Sequence, residues 1–327
     1  MTFTLPKDSQ GIPLLGIGSG TSYFKGPSSG KPINPLLVNI FSTAIKNGFG
    51  HLDSAECYGN DPELIQTLAD ILANTDIKRE DIFITDKYFA GDSTYSSHSA
   101  DLNPYDRVKK FTKELGTPYI DLYLLHSPFI KKETYGFDLK EAWKFMQQAY
   151  DEGLVKRIGA SNFAVQDIEE IWDVTSVNPQ VNQIEFNAFL QDQTPGIVEY
   201  CKSKNIVVEA YSPLAPLTGA EISSGPGLKF IQYIDSLTEK YSRTRLQILL
   251  RWVIQRGIIP ITTTSKVERF DELKGVFGWE LEDTDVSEIT KLGLEYKPMY
   301  RKHWKPEYTK YDWLCCHNSF EFDIYHS

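Results

Sequence analysis

Eight short apolar runs, each followed by a segment of helical periodicity, predict a single (β/α)8 TIM barrel across the 327 residues. No composition break or repeated linker divides the chain. No GxGxxG turn follows the first strand, where the sequence reads GIGSGTSYF. A doubly wound open sheet, the main rival, needs that turn for a dinucleotide and is disfavoured by its absence.

Each element has its own signal. After an N-terminal hairpin, residues 12–18 (IPLLGIG) form the first buried strand, and 36–47 places Leu37, Ile40, Phe41, Ala44 and Ile45 at helical spacing. Residues 50–54 are the second strand, and Pro62 opens a helix to 73, proline being favoured in a first turn. The third strand is 81–87 (DIFITDK), and Asn103 caps a helix over 104–115. The fourth is 120–126 (IDLYLLH), with a helix over 139–152 that Gly153 ends. Strands five and six are 157–161 and 180–186, with helices over 165–174 and 195–204. The seventh is 206–212 (IVVEAYS), and a longer loop over 213–227 leads to two helices, 228–241 and 245–255. The eighth is 257–263, with a helix from 267 to 273. After about residue 292 the periodicity stops. Residues 296–327 carry Trp304, Tyr308, Trp313 and Phe320, too many large rings for a disordered end, so an ordered tail over the barrel is expected.

Composition narrows the class of partner. With 41% hydrophobic and 24% charged residues, the chain can bury a core and stay in solution. A net charge of −10 argues against nucleic acid or an anionic membrane as the main partner. No apolar run reaches the roughly 18 residues that span a bilayer, and MTFTLPKDSQ lacks the pattern of a secretory signal. Cys57, Cys201, Cys315 and Cys316 show no CxxC or CxxH spacing, so a reduced, cytoplasmic protein is expected. No heptad points to a partner helix, and a monomer is expected.

In a barrel the chemistry gathers at the carboxyl ends of the strands. Those ends carry Asp53 and Tyr58 (in GHLDSAECYGN), Lys87, His126, Ser161 and Asn162, Gln183, Tyr211 and Ser212, then the run 262–266. Tyrosine is a poor acid, with a reference pKa of about 10. It becomes a useful proton donor beside a cation, and a carboxylate can hold that cation. Taken singly, Asp53 reads as a loop cap, Lys87 as a solvated strand end, His126 as a core histidine and Ser161-Asn162 as a helix cap. On four consecutive rim positions they read as one site.

The same residues carry a resemblance to the aldo-keto reductases along nearly the whole chain. It lies in GHLDSAECYGND, ITDKY, DLYLLHSP, IGASNF, QVNQIEFN, VEAYSPLAP and ITTTSKVERFDE. Within that family the chain is most similar to the fungal keto-amide and conjugated-polyketone reductases, which share TDKY, LLHSPF, SNFAV and the Thr-rich loop. The resemblance implies an NADPH-dependent reductase that transfers hydride to the carbonyl of ketones or aldehydes. Its implied substrates are dicarbonyl compounds: conjugated polyketones, keto lactones, keto amides or keto esters.

The resemblance also implies roles. Tyr58 would give the proton, Lys87 would lower its pKa, Asp53 would fix Lys87, and His126 would orient the carbonyl. Ser161, Asn162 and Gln183 would hold the nicotinamide carboxamide, and Tyr211 would stack on the ring. Residues 212–217, with Ser212 and Leu214, would wrap the pyrophosphate. Many relatives carry Pro-Lys-Ser after the eighth strand, whereas here Pro260 is followed by Ile-Thr-Thr-Thr-Ser. The 2′-phosphate is therefore expected at Thr264, Ser265, Lys266 and Arg269, aided by backbone amides at the start of the following helix. Glu272 matches the family spacing, and Leu273 replaces an expected asparagine.

Substrate contacts are expected from aromatics just past the strand ends: Tyr23, Phe24, Phe89 and Phe129, with Trp304 or Trp313 from the tail. Such a wall suits a planar or apolar dicarbonyl. Two other classes compete. A metal-dependent barrel hydrolase could use His51, Asp53 and His126, but the neighbouring rim position offers Lys87 in place of another histidine, so no metal is expected. A nucleotide-binding regulatory barrel without turnover has no need of the four rim residues.

Overall fold

The computed structural model describes residues 3–27 and 30–311. Its strands are β1 (Gly16–Gly18), β2 (His51–Asp53), β3 (Phe83–Tyr88), β4 (Leu122–Leu125), β5 (Ile158–Ser161), β6 (Val181–Glu185), β7 (Val207–Tyr211) and β8 (Ile259–Thr262). Neighbours pair in parallel in chain order, and β8 returns to β1, so the expected barrel is closed.

Thirteen helices surround the strands or lie in their connections among the described residues. They are α1 (Pro35–Lys46), α2 (Asp61–Asn74), α3 (Pro104–Leu115), α4 (Lys132–Tyr135), α5 (Leu139–Asp151), α6 (Val165–Ile171) and α7 (Ile197–Ser203). Then follow α8 (Ala215–Thr218), α9 (Gly225–Tyr241), α10 (Arg245–Gln255), α11 (Arg269–Lys274), α12 (Asp283–Leu294) and α13 (Lys305–Tyr308). None is long and apolar enough to cross a membrane.

Local chemistry sets the sharper boundaries. At the start of α3 the Asn103 side chain accepts from Asp106 N, proline occupies the first turn, and Gly116 ends the helix at φ 71°. Reciprocal capping boxes open α5 (Asp138 with Glu141) and α10 (Thr244 with Gln247). Several boundaries differ from expectation, and one helix is new. Pro13 bridges Lys7 in the N-terminal hairpin, so the first barrel strand starts only at Gly16. The helix after β8 starts at Arg269, because Lys266 N is drawn into a turn by Thr264 Oγ1. Helix α12, absent from the expected elements, buries Ile289 and Leu292 and carries an otherwise polar sequence.

Strand parity explains how the site is assembled. Ile12, Phe83, Leu122, Leu124, Val181 and Ile259 form an inner apolar cluster, separate from the larger one holding Ile84, Tyr123, Leu125 and Ile184. Side chains alternate along a strand. Phe83, Thr85 and Lys87 therefore share the inward face of β3, and Val181, Gln183 and Glu185 that of β6. The apolar members fill the lower barrel, and the polar ones end up together at its carboxyl rim. The tail also lies on this rim: Tyr296 stacks on Phe189 with centroids 4.1 Å apart, and Tyr300 N donates to Phe189 O. Trp313 and Phe320 fall outside the described residues.

Candidate active site

Lys87 is fully buried at the end of β3. Its ammonium donates to Asp53 Oδ1 (2.8 Å), Asp53 Oδ2 (2.9 Å) and the Ser54 carbonyl (2.8 Å). All three N–H groups of the ammonium are thus engaged. Tyr58 stands beside this pair, with Lys87 Nζ 5.3 Å from its ring centroid. It ends a short turn, Glu56–Tyr58, that Gly59 closes at φ 69°. Gly20 packs so tightly over the phenol that a Cβ there would lie 2.6 Å from Tyr58 Cζ.

The expected lowering of the Tyr58 pKa is not what this arrangement produces. Burial, then the Asp53 charge, raises it well above its ordinary value. Burial and Asp53 outweigh the Lys87 charge at this position, so the phenol rests protonated.

A buried charge cluster braces the turn that carries Tyr58. Arg107 reaches Asp61 at 2.6 Å, Asp86 at 3.2 Å and Glu56 at 3.7 Å. Glu56 in turn accepts from Phe89 N (3.0 Å) and Ser99 Oγ (2.7 Å), tying the β2 and β3 loops together. Asn60 Oδ1 accepts from Ser19 and Ser54, which fixes the other side.

His126 follows β4, and its ring meets Tyr58 edge-on at 5.6 Å. Burial, then Lys87, pulls its pKa well below the ordinary value, so the imidazole is neutral. Its Nδ1 lies 3.3 Å from Cys57 Sγ. His51 sits deeper, its Nδ1 3.2 Å from Pro13 O and its Nε2 3.3 Å from Thr85 Oγ1. The two histidines do not converge, and the described residues hold no cluster of three His, Cys, Asp or Glu suited to a metal.

Gln183 links the rim to a second carboxyl group. Its Nε2 donates to Asp53 Oδ2 (2.7 Å) and Glu209 Oε2 (2.8 Å), which leaves Oε1 as the group available to a ligand. Ser161 and Asn162 stand at the rim as expected, but their polar groups are engaged. Ser161 Oγ donates to Gln183 O, and Asn162 Nδ2 donates to His126 O and Ser161 Oγ. Asn162 Oδ1 accepts from Tyr211 Oη at 2.7 Å. The second lone pair of Asn162 Oδ1 remains open to a further donor. Asn162 and Ser212 both adopt left-handed backbones, at φ 62° and 53°, directly after β5 and β7. Leu214 packs against the core just before α8.

At the β8 loop Ser265, Lys266 and Arg269 are exposed, and Thr264 is buried with its hydroxyl bonded within the turn. Thr263 Oγ1 is buried without a partner, a polar atom waiting for a ligand or water. Helix α11 has only six residues, so its start adds little dipole. Glu272 accepts from Thr244 Oγ1 at 2.7 Å.

The aromatic candidates divide. Phe24, 54% exposed, has its ring 6.2 Å from Tyr58. Phe129 lies 5.9 Å from Trp304, which is itself 6.4 Å from His126. Tyr23 is buried, and its hydroxyl donates to Thr264 O (2.8 Å), which places it under the β8 loop. Phe89 is fixed by its backbone to Glu56 and Ser99.

The tail is anchored by groups that strand-end reading passed over. Glu185 accepts from Lys302 N (2.7 Å) and His303 N (3.0 Å), and Tyr308 Oη donates to Asn162 O. Cys57, Glu185 and Glu209 were missed as members of the site. Parity along β6 and β7 could have found the two glutamates, at two-residue spacing from Gln183 and Tyr211.

A closed parallel barrel with Tyr, Lys, Asp and His gathered at its rim defines a class of barrel oxidoreductases, and the sequence comparison agrees. Residues 16–294 match the profile of the aldo/keto reductase family, and the chain belongs to that family. It is accordingly an oxidoreductase acting on carbonyl compounds. It is 43% identical over 315 residues to the NADPH-dependent alpha-keto amide reductase of Saccharomyces cerevisiae, covering 95% of this chain and 96% of that one. It is 38% identical to the NAD/NADP-dependent indole-3-acetaldehyde reductase of Schizosaccharomyces pombe, covering 89% and 96%. Among solved structures it resembles a Bombyx mori aldo-keto reductase in complex with NADP, with a TM-score of 0.74, 27% identity and 94% and 98% coverage.

Proposed function

We propose that this protein is an NADPH-dependent reductase of ketones and aldehydes, with dicarbonyl compounds as preferred substrates and Tyr58 as proton donor. The observation that carries the reading is the buried Asp53–Lys87 pair set against a protonated Tyr58 and a neutral His126.

The residues present fit the cofactor. Gln183 Oε1 suits the amide hydrogens of a carboxamide, and the unpartnered Thr263 hydroxyl with the exposed Lys266 and Arg269 suits a phosphate. Tyr211, half-buried at the end of β7, is placed to pack against a flat ring. NADPH supplies the hydride, which no side chain can.

The chain's own groups handle the proton. Hydride addition turns a carbonyl oxygen into an alkoxide, a far stronger base than phenolate, so a resting phenol with a high pKa still gives up its proton at that moment. The phenolate left behind has the Lys87 ammonium as a neighbour, while burial and the Asp53 charge act against it. His126 gives the same oxygen a second donor as charge develops. Phe24, Phe129 and Trp304 give the pocket aromatic walls, which favour planar, apolar carbonyl compounds.

The testing experiment follows cofactor oxidation with aldehydes, diketones, keto esters, keto amides and keto lactones, using NADPH and NADH in parallel. Turnover with NADPH, highest for dicarbonyl compounds, is expected. No turnover across the panel would remove the reading, and equal rates with simple aldehydes would remove the dicarbonyl preference.

A further inference from the structure

We infer that Cys57 is a positioning residue that fixes the tautomer of His126, so that the imidazole presents Nε2–H to the substrate oxygen. The inference deepens the reductase reading and rests on it.

Cys57 Sγ lies 3.3 Å from His126 Nδ1, within reach of an S–H···N bond and across 69 residues of sequence. Two arrangements satisfy that distance. In one the thiol donates to a bare Nδ1, and in the other Nδ1–H donates to sulfur. Imidazole nitrogen is a strong acceptor, whereas a thioether-like or thiol sulfur is a weak one. The direction therefore runs from thiol to ring as long as both groups are neutral. Both are: burial raises the Cys57 thiol pKa, and burial with Lys87 lowers that of His126.

A bare Nδ1 puts the single ring proton on Nε2. No hydrogen bond joins Nε2 to any described residue, and the ring is flanked by Tyr58 at 5.6 Å and Trp304 at 6.4 Å. Its proton is thus left without a protein partner among the described residues, on a ring that meets Tyr58 edge-on. In the other tautomer Nε2 would be an acceptor and would repel the carbonyl oxygen that it is supposed to hold. The backbone of His126 is fixed separately, by Tyr88 O on its amide and Asn162 Nδ2 on its carbonyl. Cys57 therefore acts on the proton more than on the ring's position.

The test is 15N spectroscopy of the histidine rings in wild type, Cys57→Ala and Cys57→Ser, with assignment of the His126 signal by His126→Gln. Wild type is expected as the Nε2–H tautomer, Cys57→Ala as a mixture, and Cys57→Ser as Nε2–H again, since a hydroxyl also donates. Cofactor binding monitors folding of each variant. In turnover Cys57→Ala should lose roughly three- to tenfold in kcat, the worth of one neutral hydrogen bond, with KM changing less. An Nδ1–H tautomer in wild type, or an Nε2–H tautomer unaltered in Cys57→Ala, would overturn the inference. Either result would leave the role of Tyr58 standing, because that role is tested by a different substitution.

Discussion

Replacing Lys87 by methionine should be costly to the fold as well as to the chemistry. The change removes the donors to both Asp53 oxygens and to Ser54 O, and among the described residues it leaves a carboxylate that is 3% exposed with only Gln183 Nε2 as side-chain partner. Removing one member of a buried ion pair costs about 3–5 kcal/mol, because the survivor stays desolvated. Asp53→Asn should cost a similar amount, since Lys87 then keeps its charge without a counter-charge. The double variant buries no net charge, so its loss should fall short of the sum by about 2–3 kcal/mol. Urea unfolding of the four proteins, followed by tryptophan fluorescence, measures this cycle. A Lys87→Met protein within 1 kcal/mol of wild type, or strictly additive losses, would refute the pairing as the element that holds the site.

Three further outcomes follow from other parts of the structure. The carboxyl of Glu209 is raised to about 8 by burial and then by Asp53, from 4.5 in the unfolded chain, so its favourable contribution is full below about 4.5 and is lost as pH rises through 8. Glu209→Gln should therefore gain on wild type by roughly 2–5 kcal/mol between pH 5 and 9, and a pH-independent difference would contradict this. Removing both Lys266 and Arg269 should weaken NADPH by roughly two orders of magnitude and leave NADH nearly unchanged; equal losses in fluorescence titration would place the discrimination elsewhere. Trp304→Ala should reorder relative rates across the carbonyl panel while NADPH affinity stays within about threefold, and unchanged relative rates would show that Trp304 only packs the tail.

Much of the barrel is legible because its signals are local. The helix over 104–115 and the helix over 245–255 match the structure to the residue, each marked by a side-chain cap at its start. Expected strand starts run one to four residues early, since an apolar run begins before the first paired residue, and β3 ends one residue later than expected. Helix α12 is hidden because Val286, Ile289 and Leu292 are spaced among acidic and polar residues. Asp53, Lys87, His126 and Gln183 are legible as strand-end residues of unusual type. What they touch is not. The Cys57–His126 and Gln183–Glu209 contacts join residues 69 and 26 apart, and the raised pKa of Tyr58 depends on burial, which is set by packing. Likewise nothing local to Glu185 shows that it receives two backbone amides from the tail.

The most direct test of Tyr58 as the acid is single-turnover hydride transfer in Tyr58→Phe, with NADPH bound before the ketone is added. The substitution removes one hydroxyl and leaves the Asp53–Lys87 pair intact. NADPH should bind as in wild type, and the transfer rate should fall by about 10²–10⁴-fold, the usual worth of a positioned general acid. A Tyr58→Phe enzyme that oxidises bound NADPH at nearly the wild-type rate would show that the proton comes from another group.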